Sequence, residues 1–270
     1  MERVRLILGS LVALVLLAAS AAPALAQQTS LFDIQKRGEL WVGTAASMPP
    51  LNMTTKNGEV KGMEIDMARY MASAMGVKLK LKTMPFAELL PALQARKVDM
   101  ILSGMTITPR RNLKVAFVGP YMISGKAFLT KEKTIAAVKK ADEVNRPNIT
   151  LVALKGSTSQ FFVEKIMPKT KLVTAKDYDE AVKMVLEDKV DALIADYPIC
   201  VISVYRYPNK GLVSIITPLT YEPLGIALHP DDPHLINWTQ NFLNALEGSG
   251  EMDALQARWF GRGSWLRELP

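Results

Sequence analysis

The sequence contains one cysteine and two histidines in 270 residues. A single cysteine excludes an internal disulfide bond, so hydrophobic cores must stabilise the folded chain. Cys200 lies in the apolar run PICVI, which favours a buried, unreactive thiol over a catalytic nucleophile. His229 and His234 flank two prolines without a third ligand pattern, so we predict no metal site and no cofactor.

Long apolar runs are missing after the first residues of the chain. Arg3 and Arg5 precede an apolar stretch over 6–19, and a small-x-small sequence follows at 24–26. This pattern predicts a signal peptide over 1–26, with an uncleaved membrane anchor as the alternative. No cysteine follows the predicted cleavage point, which excludes a lipid-modified N-terminal cysteine. We therefore expect a mature chain that is free in an extracytoplasmic space.

The charge of the mature chain, 27–270, is not concentrated in one patch. Its 244 residues include 31 basic and 25 acidic ones, a net charge of +6. Lys78, Lys80 and Lys82 alternate with apolar residues, as on the exposed face of an amphipathic strand. Such scattered charge does not predict a nucleic-acid partner. The length is sufficient for two domains of ordinary size.

Two segments of similar sequence stand at 97–104 (KVDMILSG) and 189–196 (KVDALIAD). Each is an apolar run after a stretch with helical spacing, which predicts a buried parallel strand. Strands and helices alternate along most of the chain, so we predict an α/β fold with two similar halves. Ligands bind at the carboxyl ends of strands in open α/β sheets. The residues from Ser103 to Thr106, and Asp196, are therefore candidate site residues.

The segment after the first of these strands carries the clearest chemical signal. Thr108 is placed as a helix N-cap, with Pro109 in the first helical position and Arg110 and Arg111 in the first turn. Cations are disfavoured there because the helix N-terminus already carries partial positive charge. A bound carboxylate would offset that repulsion. The alternative is that both arginines are solvated or pair with a nearby acid.

Asp196 would supply the complementary charge from the other half of the chain. One cationic and one anionic group on facing lobes would bind a zwitterion, the common part of every free α-amino acid. The loop containing Lys155, Ser157 and Thr158 lies between a strand and a helix, and it offers backbone and hydroxyl donors to the same anion. The alternative for Asp196 is a capping role at the next helix.

Seven segments together carry a resemblance to a known family. They are 42–44 with the proline pair at 49–50, 61–68, 90–94, 104–108 with Arg111, 156–158, 191–196 and 225–227. Over nearly the whole mature chain, the sequence resembles the periplasmic solute-binding proteins of polar amino-acid ABC importers. The resemblance implies a periplasmic location and a two-lobed α/β fold, each lobe a mostly parallel sheet flanked by helices. The first lobe would comprise 27–128 and 222–270, and the second 129–221, with crossing segments near Phe128 and Glu222.

The resemblance also implies roles for individual residues. Arg111 would hold the ligand carboxylate together with Thr106 and Thr158. The carbonyl of Gly104 and the side chain of Asp196 would take the ammonium. The complete set of expected ligand-binding residues is Met48, Phe86, Ser103, Gly104, Thr106, Arg111, Lys155, Ser157, Thr158 and Asp196.

Three departures from the family pattern concern the wall of the ligand pocket. Many relatives have an acid where this chain has Ala45, and aromatic residues where it has Met48 and Leu51. With Phe86, these residues would form an apolar wall without a carboxylate. We therefore expect a neutral amino acid as ligand rather than a cationic one, since a buried cation without a partner is costly. Lys155 would favour an acidic or amide terminus if it reaches the pocket.

Two other functions remain open on the sequence alone. Some relatives of this fold are periplasmic dehydratases, and Lys155 or Glu222 would then serve as acid or base. A binding protein that reports to a membrane sensor would have the same pocket as an importer component. The main prediction is a monomer that is not an enzyme, with an amino acid and an inner-membrane ABC permease as its partners.

Overall fold

The computed structural model describes residues 30–214, 219–261 and 263–270. The signal peptide predicted over 1–26 lies outside these residues. The helices are α1 (Ser30–Arg37), α2 (Met63–Ala74), α3 (Phe86–Gln94), α4 (Pro109–Asn112), α5 (Lys133–Ala136), α6 (Thr158–Ile166), α7 (Tyr178–Leu186), α8 (Tyr197–Arg206), α9 (Pro233–Gly248) and α10 (Glu251–Gln256). Within this part of the chain, no helix has the length and apolar character needed to cross a membrane.

The strands form two five-stranded sheets and one small sheet. They are β1 (Glu39–Thr44), β2 (Ser47–Met48), β3 (Asn52–Thr54), β4 (Val60–Lys61), β5 (Lys78–Thr83), β6 (Met100–Ile101), β7 (Ala116–Ser124), β8 (Lys126–Thr130), β9 (Thr150–Leu154), β10 (Lys171–Ala175), β11 (Ala192–Asp196), β12 (Val213–Ser214) and β13 (Glu222–Leu228). The first large sheet has the order β5-β1-β6-β13-β7, and the second β10-β9-β11-β8-β12. Each sheet with its helices is a lobe, as the predicted two-lobed α/β fold requires.

The two lobes repeat one arrangement of strands. In the first lobe β1 pairs in parallel with β5 and β6, and in the second β9 pairs in parallel with β10 and β11. In each sheet the central strand also pairs, at its other edge, with one antiparallel strand. β13 pairs with β6 in the first lobe, and β8 pairs with β11 in the second. The two similar sequence segments therefore contain the two central strands, β6 and β11. This confirms the prediction of two similar α/β halves.

The chain passes between the lobes at two adjacent points. It leaves the first sheet at Ser124 and enters the second at Lys126, so Gly125 is the first crossing point. Phe128, near which the sequence predicts this crossing, lies inside β8. The chain returns to the first sheet at Glu222, which pairs with Ser124. Both crossings therefore lie side by side at the base of the cleft.

The helices form where the apolar spacing predicts them. On α2, Ile65, Ala68 and Ala72 are buried, and Gly76 follows the end of the helix with a φ of 69°. Helix α7 is the stretch with helical spacing before the second repeated segment: it buries Ala181 and Val185, and Asp177 caps it by accepting a hydrogen bond from the Glu180 amide, 2.8 Å away. The exposed alternation of Lys78 and Lys80 lies on β5, at the edge of the first sheet.

The small antiparallel sheet β2-β3-β4 is an addition that the sequence pattern does not predict. Its strands have only two or three residues, which is too short to show a period of two. The proline pair Pro49-Pro50 lies between β2 and β3 and interrupts regular structure there. Met48, at the end of β2, is thereby placed against the carboxyl end of the first sheet.

Candidate ligand-binding cleft

The cleft between the lobes is formed at the carboxyl ends of the central strands. The segment after β6 brings Thr106 towards the second lobe, where its hydroxyl lies 3.4 Å from that of Thr158 at the start of α6. Asp196 ends β11, and 95% of its surface is buried. The residues predicted at the two strand ends therefore face a common space.

Arg111 is the cation of this cleft. The Thr108 hydroxyl accepts a hydrogen bond from the Arg111 amide at 3.2 Å, and Pro109 opens the short helix α4, as predicted. The guanidinium donates to the carbonyl oxygen of Thr106 at 2.8 Å and to that of Gly156, in the second lobe, at 3.2 Å. It also lies 5.6 Å from the centre of the Phe86 ring. Arg111 therefore touches both lobes and the apolar wall.

Burial determines the electrostatics of Arg111. Loss of solvation lowers the pKa of its guanidinium to about 10, and the carboxylates of Asp196 and Glu222 oppose that change. The side chain is thus a buried cation whose main stabilising charges are two carboxylates. Arg110, one residue earlier, is exposed and stacks on the Phe161 ring at 5.1 Å. The two neighbouring arginines have different surroundings, because only Arg111 enters the cleft.

Asp196 faces a cation that the sequence reasoning did not place in the site. Lys126 is fully buried, and its Nζ lies 3.1 Å from Oδ1 of Asp196 and 3.2 Å from Oε2 of Glu222. Asp196 stands at the N-cap position of α8, but its side chain makes no capping hydrogen bond. Burial raises the pKa of the Asp196 carboxyl, and Lys126 counteracts this most strongly. The capping alternative is therefore not the role of this side chain.

Glu222 connects this ion-pair cluster to the predicted ligand hydroxyls. The Thr158 hydroxyl donates to Oε2 of Glu222 at 3.0 Å, and the Thr220 hydroxyl donates to Oε1 at 3.1 Å. A chain of polar contacts thus runs from Lys126 through Glu222 and Thr158 to Thr106. Because the Thr158 hydroxyl donates its proton to Glu222, it cannot donate the same proton to a ligand.

An apolar wall closes the first-lobe side of the cleft. Met48, Leu51 and Phe86 are buried there. Gly104 has a φ of 59°, and a Cβ at this position would lie 2.2 Å from the sulfur of Met48. Only glycine therefore allows Met48 to pack this closely.

Buried polar groups hold the segment after β6, which contains Ser103 and Gly104, on the side that faces away from the cleft. The Gly104 amide donates to Oε1 of Glu64 at 2.7 Å, and the Tyr121 hydroxyl donates to the same carboxylate. The Ser103 hydroxyl accepts a hydrogen bond from the Ala45 amide at 2.9 Å, which ties the ends of β6 and β1 together. Ser103 and Glu64 therefore position the loop that contains Gly104.

The loop that enters from the second lobe contributes backbone rather than side chains. The Ser157 hydroxyl caps α6 by accepting from the Gln160 amide at 3.1 Å. Lys155 is exposed, and its side chain makes no hydrogen bond to any residue that the structure describes. Of this loop, the carbonyl of Gly156 and the start of α6 face Arg111.

A cavity of about 610 Å³ lies beside Arg111, between α4 of the first lobe and α6 of the second. Its lining includes Arg110, Arg111, Ser157, Thr158 and Phe161. A larger groove of about 810 Å³ runs along α7 and contains no residue of the predicted site. The cavity beside Arg111 therefore reaches the guanidinium and the start of α6, and its lining does not include Met48, Phe86 or Asp196.

The site predicted from the sequence does not include three residues of this region, Lys126, Glu64 and Tyr121, and the sequence predicts Glu222 only at a crossing segment or as the acid or base of a dehydratase. Lys126 offered one signal, because a lysine at the start of the apolar strand KAFLT is unusual without a buried partner. Its partner depends on the antiparallel register of β8 and β11, which pairs Lys126 with Asp196. No local pattern reveals that register.

Comparison with known proteins identifies the family. The sequence model of the bacterial extracellular solute-binding proteins, family 3, matches residues 40–262. The chain belongs to this family. Arginine-binding protein 1 of an ABC transporter from Escherichia coli (strain K12) is 27% identical over 223 residues, 81% of this chain and 89% of the relative. Members of the family are periplasmic proteins.

A solved structure shows the same fold with an amino acid bound. A protein from Wolinella succinogenes DSM 1740, described as a binding component of an ABC transporter and complexed with lysine, is 40% identical with a TM-score of 0.79. That comparison covers 86% of this chain and 99% of the other. Most relatives are binding proteins, but a cyclohexadienyl dehydratase from Pseudomonas aeruginosa is 23% identical over 255 residues, 94% of each chain. The family thus includes amino-acid-binding proteins and an enzyme on one fold.

Proposed function

We propose that this protein is the substrate-binding component of an ABC importer and that it binds one free amino acid between its lobes. The buried guanidinium of Arg111, which contacts both lobes and faces the carboxylate of Asp196, carries the proposal. A zwitterion fits this pair of charges, since each of its charged groups would meet an opposite one. Family membership supports the proposal, because the relatives named above bind amino acids for ABC transporters.

The α-carboxylate would bind at Arg111. The guanidinium has five N–H groups, and the two hydrogen bonds to Thr106 and Gly156 leave others for a ligand. The Thr106 hydroxyl would exchange its long contact with the Thr158 hydroxyl, 3.4 Å, for the ligand carboxylate, and the backbone N–H groups at the start of α6 would complete the site. For Thr158 this differs from the role that the family resemblance implies for a side chain, because its hydroxyl is engaged by Glu222.

The α-ammonium would bind at Asp196 and at the carbonyl oxygen of Gly104. Within the described residues, Lys126 is the only hydrogen-bond partner of the Asp196 side chain. A carboxylate has about four acceptor sites, so Asp196 retains room for a ligand ammonium. Its almost complete burial makes that interaction strong, since few water molecules compete.

The ligand side chain would lie against Met48, Leu51 and Phe86. These residues offer apolar surface, and Ala45 adds no charge where a carboxylate would pair with a cationic side chain. We therefore propose a neutral, polar or moderately apolar amino acid, although one relative named above is an arginine-binding protein and another is complexed with lysine. Lys155 is exposed in this structure and would not take part.

A thermal-shift screen against the twenty amino acids tests the proposal. A ligand at one hundred times its dissociation constant adds about 2.7 kcal/mol to the free energy of unfolding. We expect neutral amino acids to raise the melting temperature and arginine and lysine not to. The absence of a shift with every amino acid would contradict the binding function itself.

The dehydratase relative and the close Lys126–Glu222 pair favour one second candidate, a dehydratase acting on a small acid. Such an enzyme would use the pair as acid and base near a bound carboxylate. Mass spectrometry of the ligand after prolonged incubation separates the two functions. A binding protein releases the ligand unchanged, whereas a dehydratase releases it with one water molecule less.

A further inference from the structure

Lys126 is bound to two carboxylates at the junction of the lobes. It begins β8 directly opposite Asp196 in the antiparallel register of β8 and β11. Its Nζ reaches Asp196 at 3.1 Å and Glu222 at 3.2 Å. Lys126 and Asp196 belong to the same sheet, so strand pairing holds them together whether the cleft is open or closed.

Glu222 is held at this point by three donors. In addition to Lys126, the hydroxyls of Thr158 and Thr220 donate to its two oxygens. Hydrogen bonds of this kind stabilise the charged form of a carboxylate. Glu222 therefore adds a fixed negative charge to the base of the cleft, and Lys126 adds a fixed positive one.

The four buried charges at the base of the cleft are balanced. Arg111 and Lys126 are the cations, and Asp196 and Glu222 are the carboxylates; each of the four is at least 90% buried. Arg110 and Lys155 are exposed, so solvent screens their charges. Glu64 is a further buried carboxylate but lies outside this set, deeper in the first lobe behind Gly104, where the Gly104 amide, the Tyr121 hydroxyl and the Asn52 amide donate to its oxygens.

Balance among buried charges restricts the ligand. Closure of the lobes removes water, and charges then interact more strongly than they do in solvent. An amino acid with a neutral side chain brings one positive and one negative group and preserves the balance. A cationic or an acidic side chain would add one unbalanced charge.

We propose that the Lys126–Glu222 pair sets the net charge of the amino acid that the cleft accepts, and that Lys126 is a specificity-determining residue for net-neutral amino acids. This inference rests on the proposed function. It differs from the argument based on the apolar wall, because it assigns the preference to residues at the ammonium end of the ligand.

Removing each charge of the pair separately tests the inference. The variants are Lys126→Met, Glu222→Gln and the double variant, and the ligands are L-glutamine, L-lysine and L-glutamate in isothermal titration calorimetry. Lys126→Met leaves one excess negative charge and should shift the lysine-to-glutamine affinity ratio at least about tenfold towards lysine. Glu222→Gln leaves one excess positive charge and should shift the glutamate-to-glutamine ratio towards glutamate by a similar factor.

The double variant distinguishes an effect of net charge on affinity from an effect of structural disturbance. It removes one charge of each sign, so the preference for glutamine should return to within about threefold of that of the wild type. Lys131→Met is the matched control, since Lys131 follows β8 and pairs with the exposed Asp188 at 2.9 Å. All three ligands should bind this control as they bind the wild type.

The outcomes distinguish the inference from the proposed function. Unchanged ratios, or a shift towards the same charged ligand in both single variants, would overturn the role of the pair while the binding function stands. So would a wild-type protein that prefers lysine to glutamine. If none of the twenty amino acids binds the wild type, the proposed function fails and the inference fails with it. Should Lys126→Met not fold, the shift expected for Glu222→Gln still decides the question.

Discussion

The guanidinium of Arg111 donates a hydrogen bond to the carbonyl oxygen of Gly156, 3.2 Å away. Arg111 belongs to the first lobe and Gly156 to the second, so this contact exists only when the lobes are together. The residue that would hold the ligand carboxylate is therefore also a contact between the lobes. Binding and closure are coupled if a ligand strengthens the interactions that join the lobes.

Arg111→Ala should abolish amino-acid binding while the protein still folds. The substitution leaves the ligand carboxylate buried without its cation, which costs about 2 to 5 kcal/mol of binding free energy. Titration calorimetry measures the affinity, and circular dichroism verifies the fold. Near-normal affinity would show that the carboxylate binds elsewhere.

Arg110→Ala is the matched control for that experiment. Its guanidinium stacks on Phe161, which is 41% exposed, and an exposed contact of this kind contributes about 0.5 to 1 kcal/mol. Because Arg110 does not enter the cleft but its stacking joins the two lobes, we expect a small loss of affinity, about two- to fivefold. A loss as large as that of Arg111→Ala would contradict the assignment of the two arginines.

Affinity for the amino acid should fall as the pH is lowered. This fall should begin at a higher pH than it would if Asp196 were exposed to solvent. Burial raises the pKa of the Asp196 carboxyl, so this group takes up its proton earlier on acidification. The ammonium site is present above that pKa and is lost below it, because a neutral carboxyl no longer balances the ammonium. Calorimetry between about pH 4 and pH 7 tests this dependence.

Asp196→Asn assigns the pH dependence to one group. This variant should bind weakly, and its affinity should change little over the same range. If the variant retains the pH dependence of the wild type, another carboxyl is responsible.

Gly104→Ala should weaken both folding stability and ligand affinity. Alanine at a φ of 59° is strained by roughly 1 to 2 kcal/mol, and its Cβ would also meet the sulfur of Met48. Gly58→Ala is the control, since Gly58 has a φ of 79° but no atom within 4 Å of the added Cβ. Urea unfolding of both variants separates strain from collision. If both variants lose the same stability, the Met48 side chain moves away from the added Cβ without a cost in free energy.

Cys200 should resist thiol reagents in the folded protein. The side chain is fully buried, and burial raises the pKa of its thiol, so almost no thiolate is present at neutral pH. Labelling should become fast only in denaturant. Rapid labelling of the native protein would contradict the buried position on α8.

The parts of the fold that local patterns define were predictable. Helix α7 shows the apolar spacing over its whole length, and Thr108 and Pro109 form the helix start that their order predicts. Strand β6 is shorter than the segment 97–104 that predicts it, because only Met100 and Ile101 have regular partners on β1. The local sequence pattern thus predicts the presence of a helix or strand better than it predicts the residue at which that element ends.

The base of the cleft was not predictable in the same way. Lys126 and Asp196 are 70 residues apart, and only the pairing of β8 with β11 makes them neighbours. Glu222 enters the same cluster from a strand of the other lobe. Such contacts depend on which strands pair and in which register, and a single sequence does not specify either.

The side-by-side crossings at Gly125 and before Glu222 make the second lobe an insertion whose two ends meet. Ser124 and Glu222 are paired, so the first sheet is continuous without the inserted segment. Exchange of the second lobe with that of a relative therefore requires only two junctions, both on one two-stranded ribbon. Such a chimera would keep Arg111 and the apolar wall of this chain but would acquire new counterparts of Lys126 and Asp196. The carboxylate end of the ligand site, on the first lobe, and the ammonium end, on the second, can therefore be exchanged independently of each other.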